Sequence, residues 1–144
     1  MSDLSALKAL GFKGDLITPE HPDYEKSLVR WSLSSQKRAQ LVAYVKDDRD
    51  VSLVIEFARK NNLPLAIKGG GHSTAGSSSS EGVVIDLSRY FNTVEVDTDK
   101  KVAHVGGGAI WETVDRATCV KGLATVAGTV NHVCCSHSFG CAFN

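Results

Sequence analysis

No apolar run in this 144-residue chain approaches the length needed to cross a bilayer. The N-terminus, Met1-Ser2-Asp3-Leu4-Ser5-Ala6-Leu7-Lys8, lacks the basic start and continuous apolar stretch of a secretory signal. Those two absences make a cytoplasmic protein the expectation. Charge of either sign is also not in excess, with 16 basic against 16 acidic residues. No electrostatic footprint for nucleic acid or an anionic membrane stands out, so neither is an expected partner. Cysteine is sparse and confined to the C-terminal part: Cys119, Cys134, Cys135 and Cys141. In a reducing compartment these are expected to be thiols. The length itself suits one domain with a real core.

Two nucleotide-binding signatures are missing as well. A dinucleotide fingerprint begun at Gly69 needs glycine at position 74, where Thr74 stands. The helix that should follow at once is replaced by Ser77 to Ser80 and Glu81-Gly82, a poor helical sequence. A Walker A loop fails because no Gly-Lys-Ser/Thr closes the run. What is present is Lys68-Gly69-Gly70-Gly71-His72-Ser73. Three successive glycines let several backbone N–H groups converge on one anion. His72 adds a nucleophilic ring that titrates near neutrality. The combination points to a phosphate-bearing cofactor and a histidine able to bond to it. The competing reading, a tight strand-to-strand turn with His72 at the surface, stays open on these residues alone.

The flanking pattern is α+β. Leu4 to Leu10 reads as a short helix closed by Gly11, Gly14 to Pro22 as a loop with a short strand, and Tyr24 to Arg30 as a helical turn. Leu41 to Val45 is a strand. Asp47 or Asp48 caps a helix whose Val51, Val54, Ile55 and Ala58 make one stripe, and Leu65 to Ile67 is the next strand. This βαβ unit implies parallel strands with a right-handed connection, and an anion site at the carboxyl end of its second strand. Val83 to Leu87, Thr93 to Val96 and Val102 to Val105 are short strands at a spacing that favours an antiparallel meander. Gly106-Gly107-Gly108 reads as a tight turn into a helix carrying Ile110, Val114 and Ala117. Trp31 and Trp111 are expected in packing rather than as stacking platforms. Asp97 and Asp99 are expected to stabilise a turn.

"LAIKGGGHSTAGSSSSEGVVIDLS", "VAHVGGGAIWETVD" and "GLATVAGTVNH", in that order, resemble the FAD-binding PCMH-type domain of berberine bridge enzyme-like oxidases, of the vanillyl-alcohol-oxidase type. The resemblance covers Trp31 to Val133. It implies a helical or loop segment over 1–32, part of the FAD-binding domain over 33–133 and a divergent tail over 134–144. It implies an FAD pyrophosphate wrapped by Gly69, Gly70, Gly71, Ser73 and Thr74, with Gly76 and Ser77 extending the loop. Lys68 stands where the family usually has arginine and keeps its charge. By the same resemblance His72 is the covalent link to the flavin methyl group, reacting through its unprotonated ring. The implied chemistry is oxidation of a small molecule by hydride transfer to flavin, with molecular oxygen as acceptor.

The resemblance also marks what is not there. A second flavin-linking cysteine, present in some relatives, aligns with Val130, so attachment through two bonds is not expected. The family pattern stops within a few residues of Val133, as a reading-frame change or retained intron would make it. The substrate domain and its catalytic base are expected to be absent, giving a truncated PCMH-type fold and no catalytic residue to name. The alternative is a non-catalytic remnant that holds no flavin. His132, Cys134, Cys135, His137 and Cys141 crowd the tail, but adjacent cysteines cannot easily face one ion, so no metal is expected.

Overall fold

A computed structural model describes residues 4–135, and side-chain environments from residue 7 onward. The elements are α1 (Leu4–Ala9), β1 (Asp15–Ile17), α2 (Tyr24–Leu28), a 3-10 turn (Leu33–Ser35), β2 (Leu41–Tyr44) and α3 (Asp48–Lys60). They continue with β3 (Leu65–Lys68), β4 (Val83–Asp86), β5 (Val94–Asp97), β6 (Val102–Val105) and α4 (Trp111–Cys119). Among the described residues no helix is long and apolar enough to cross a membrane.

Local chemistry accounts for the helix limits. Asp47 is extended and accepts a hydrogen bond from the Asp50 amide, capping α3. The fully buried Asp50 carboxylate accepts from the amides of Lys13 and Lys46, tying the N-terminal loop to the start of this helix. Val54, Phe57 and Ala58 form the buried stripe of α3. Asp97 accepts from the amides of Asp99 and Lys100, which shapes the β5–β6 turn as expected.

The main sheet has the order β1-β2-β4-β3. β1 runs antiparallel to β2, whereas β4 is parallel to both β2 and β3. The two strands of the βαβ unit are therefore parallel, as expected, but not adjacent. The expected antiparallel meander needs correction at its first strand. β4 is inserted between β2 and β3, and only β5 and β6 form an antiparallel pair. The reason is burial. All four residues of β4 are buried, as are those of β2, and a strand apolar on both faces needs a central place. β3, with Leu65 and Ile67 exposed, takes the edge.

Two cores result. Leu41, Ala43, Val83 and Ile85 pack against Leu7 and the Val54, Phe57 and Ala58 stripe, while Val42, Tyr44 and Val84 pack against Ile17, Tyr24 and Leu28. Trp111 and Val114 form a third cluster with Cys135, beside β5 and β6. Cutting Ile85, 1% exposed at the middle of β4, to alanine should cost about 2–5 kcal/mol. Urea unfolding monitored by circular dichroism measures it, and a loss below 1 kcal/mol, about the cost of a single methylene, would show that β4 is not held centrally.

Candidate functional site

The loop that carries the chain from the edge strand β3 back to the central β4 begins, with its glycine run, at the carboxyl ends of the parallel strands. At its root, Lys68 and Asp86 are register partners on β3 and β4. The Lys68 ammonium donates to Asp86 Oδ2 at 2.8 Å, with both side chains largely out of solvent. Asp86 Oδ1 accepts from the amide and hydroxyl of Ser88, so this carboxylate is fully engaged.

Close packing explains the glycines. A Cβ on Gly69 would stand 2.8 Å from the Gly107 carbonyl oxygen and 3.0 Å from Cys134 Sγ. One on Gly70 would stand 2.9 Å from the Cys134 amide nitrogen. Gly71 adopts a left-handed φ of +74°, open to glycine at no steric cost. The first and second glycine runs thus meet, and the 132–134 segment lies against them. That segment is anchored by paired backbone: Trp111 donates to Val133, Glu112 to Asn131 and Cys135 to Ala109. Cys134 and Cys135, at the start of the expected divergent tail, are therefore seated in the fold. Ser136 onward, including His137 and Cys141, lies outside the described residues.

The predicted loop residues divide by what they touch. Ser73 Oγ accepts from the Ser77 amide and lies 2.7 Å from the Ser77 hydroxyl, a bond that closes the loop on itself. Gly76, also at positive φ, accepts from the Ser79 amide, and Thr74 is exposed. The N–H groups of Gly70, Gly71, His72, Ser73 and Thr74 donate to no acceptor among the described residues. They remain available to an anion.

Five residues outside the predicted set belong to the site. The Trp31 amide donates to the Gly71 carbonyl, and Arg30 Nε donates to the Ser78 carbonyl, so residues 30 and 31 clamp both halves of the loop. Trp31 is 66% exposed and stacks on His72 with ring centroids 5.1 Å apart. It is a stacking platform, which corrects the expectation of packing; Trp111 is buried as expected. His132 completes a cluster of three rings in mutual contact, and its Nδ1 lies 2.9 Å from Nε2 of His72. Ser78 and Ser79 are buried, and neither hydroxyl has a partner among the described residues. The serine run was visible in the sequence as a poor helix, but its burial was not.

Electrostatics single out one group. Arg30 is 4% exposed; its Nε and Nη1 donate to carbonyls, and Nη2 has no partner among the described residues. Burial pulls its pKa down, opposed by the charge of Asp86. Lys68, largely out of solvent, and the buried Arg30 share the single carboxylate of Asp86, which leaves one positive charge uncompensated among the described residues. Beside them lies a cleft of about 520 Å³ lined by Lys26, Arg30, Trp31, Lys68, His72 and His132, among others. A smaller cleft of about 200 Å³ lies where Gly69, Gly71, His72, Ser78, Gly107 and Cys134 meet.

Glycine loop, unpaired donors and excess buried positive charge at the carboxyl ends of parallel strands make this a domain built to take an anionic cofactor. The chain belongs to the FAD binding domain family, whose profile matches residues 39–136. It is 40% identical to the FAD-linked oxidoreductase pgmH of Aspergillus terreus over 110 residues, covering 76% of this chain and 22% of pgmH. The crystal structure of 6-hydroxy-D-nicotine oxidase from Arthrobacter nicotinovorans superposes with a TM-score of 0.82 at 28% identity, covering 87% of this chain and 28% of the oxidase. The fold is also that of Physcomitrella patens BBE-like 1, with a TM-score of 0.81 at 19% identity, over 90% of this chain and 28% of that one. The chain thus spans about a quarter of the length of these relatives.

Two outcomes test the geometry. Gly70→Ala drives a Cβ into the Cys134 backbone and should destabilise the fold by about 1–3 kcal/mol, measured by thermal melting. An unchanged melt would mean that the 132–134 segment does not rest on this loop. The pKa of His72 lies below its ordinary 6.5 because burial and the His132 charge disfavour its protonated form, outweighing the His132 carbonyl, which favours it. The unfolded chain therefore binds more protons at this position. Its contribution to stability is present above pH 6.5 and falls as the pH drops through the window just below. His72→Phe should flatten that part of the pH–stability curve. The shifted carboxylates of Asp15, Asp47 and Asp97 act only below their ordinary 3.8.

Proposed function

We propose that this chain is the flavin-cradling portion of an FAD-linked oxidoreductase. The observation that carries this reading is the uncompensated positive charge of Arg30 and Lys68 against Asp86, beside a run of unpaired N–H groups in a glycine loop. An FAD pyrophosphate supplies the missing negative charge. Gly69, Gly70 and Gly71 offer the close backbone approach, with Ser73 and Thr74 beside them and Gly76 and Ser77 behind. Arg30 Nη2 and the Ser78 and Ser79 hydroxyls are the buried donors that such an anion satisfies. Lys68, held by Asp86, contributes its charge to the cleft wall.

His72 is the covalent link to the flavin methyl group, through a ring nitrogen that carries a lone pair. Trp31 and His132 each pack against that ring and against one another. FAD held in this cleft would supply an acceptor for hydride from a small-molecule substrate, with molecular oxygen taking the electrons back. No residue in this chain is assigned as the substrate's base.

Protein prepared with FAD is expected to be yellow and to keep its colour in the acid-precipitated pellet. His72→Ala should release the flavin to the supernatant. Arg30→Met should weaken FAD binding roughly 10- to 100-fold, the worth of a hydrogen bond to a charged group. A colourless chain that takes up no FAD would favour the reading as a non-catalytic remnant, and covalent flavin in the alanine variant would remove His72 from its role.

A further inference from the structure

His132 lies 60 residues from His72 in sequence, yet its ring nitrogen lies within hydrogen-bond distance of the His72 ring, and its backbone carbonyl also favours a proton there. Their nitrogens are 2.9 Å apart, with ring centroids 4.7 Å apart and planes inclined by 27°. An N···N contact of this length holds one proton, so the two rings cannot choose tautomers independently. Lys26, Arg30 and Lys68 line the same cleft. Asp86, whose charge acts on Arg30, is already spent on Lys68 and Ser88.

We propose that His132 is a positioning residue for His72: its Nδ1 accepts the Nε2 proton of His72 and so leaves the lone pair on His72 Nδ1. This rests on the reading in which His72 attaches the flavin. A bond from Nδ1 to the methyl carbon replaces one methyl hydrogen, which leaves as a proton. The electron pair of the broken C–H bond reduces the flavin, and molecular oxygen reoxidises it. The ring that has given up its Nδ1 lone pair must also lose its Nε2 proton, and His132 Nδ1 is placed to accept it. The opposite tautomer would put hydrogen on Nδ1 and leave nothing there to form the bond.

The backbone holds His132 in place independently of its ring. Asn131 and Val133 on either side accept hydrogen bonds from Glu112 and Trp111. Substitutions at position 132 therefore change the ring's chemistry while these anchors remain.

Long-range proton–nitrogen correlation spectra of the flavin-free chain read the tautomer directly. The wild type should show His72 protonated on Nε2. His132→Asn keeps an acceptor oxygen near the place of Nδ1 and should preserve that tautomer. His132→Phe keeps the stack but removes the acceptor and should give a mixture. A His72 protonated on Nδ1 in the wild type, or an unchanged tautomer in His132→Phe, overturns the proposal. A second readout is the share of the residue-72 peptide that carries flavin, measured by mass. It should fall in His132→Phe and be restored towards wild type in His132→Asn. Full attachment in His132→Phe overturns this inference and leaves the flavin reading standing. Covalent flavin elsewhere, kept in His72→Ala, overturns the flavin reading while the tautomer result still stands.

Discussion

Burial of β4 on both faces is the constraint on which the rest of the structure depends. Val83, Val84 and Ile85 are each 1% exposed or less, and Asp86 is fully buried. A strand with no solvent face must have a neighbour on either side and a covering layer above and below. It therefore enters between β2 and β3, and the chain must return from the carboxyl end of β3 to the start of β4. That return is the glycine- and serine-rich loop. Its position over the strand ends follows from the sheet order, and so does the pairing of Lys68 with Asp86 across the β3–β4 register.

Charge is the second determinant. Asp86 at the end of a buried strand would be costly alone. Lys68 and the Ser88 groups satisfy it, and Arg30 is brought near enough to feel its field. The result overshoots neutrality. A desolvated guanidinium with one unpaired nitrogen, beside two buried hydroxyls without partners, is a poor ending for a self-contained fold and a good beginning for an anion site. Stability and binding pull in opposite directions at the same residues.

The glycines serve both ends. Their missing side chains let Gly107 and the 132–134 segment approach the loop, which brings His132 onto His72. The same bare backbone leaves N–H groups unpaired on the loop. The two first readings of the motif, tight turn and anion cradle, are thus compatible: one concerns the space that a Cβ would fill, the other the N–H groups of the same residues.

By itself the sequence determined the helices, the strands and the motif, because these rest on local chemistry. Asp47 caps α3, apolar spacing marks its buried stripe, and three glycines before a histidine announce a special loop. The ordered motifs carried the family through resemblance. Only the tertiary structure decided the order of strands. The run from Val83 to Asp86 reads the same whether it pairs with its successor or its predecessors; long-range burial makes the choice. It alone placed Arg30, Trp31, Ser78, Ser79 and His132, whose roles come from neighbours distant in the chain. An exposed tryptophan, an arginine after a short helix and a histidine in a turn carry no local signal of a shared site. Their chemistry comes from contact, and contact is set by how the sheet closes.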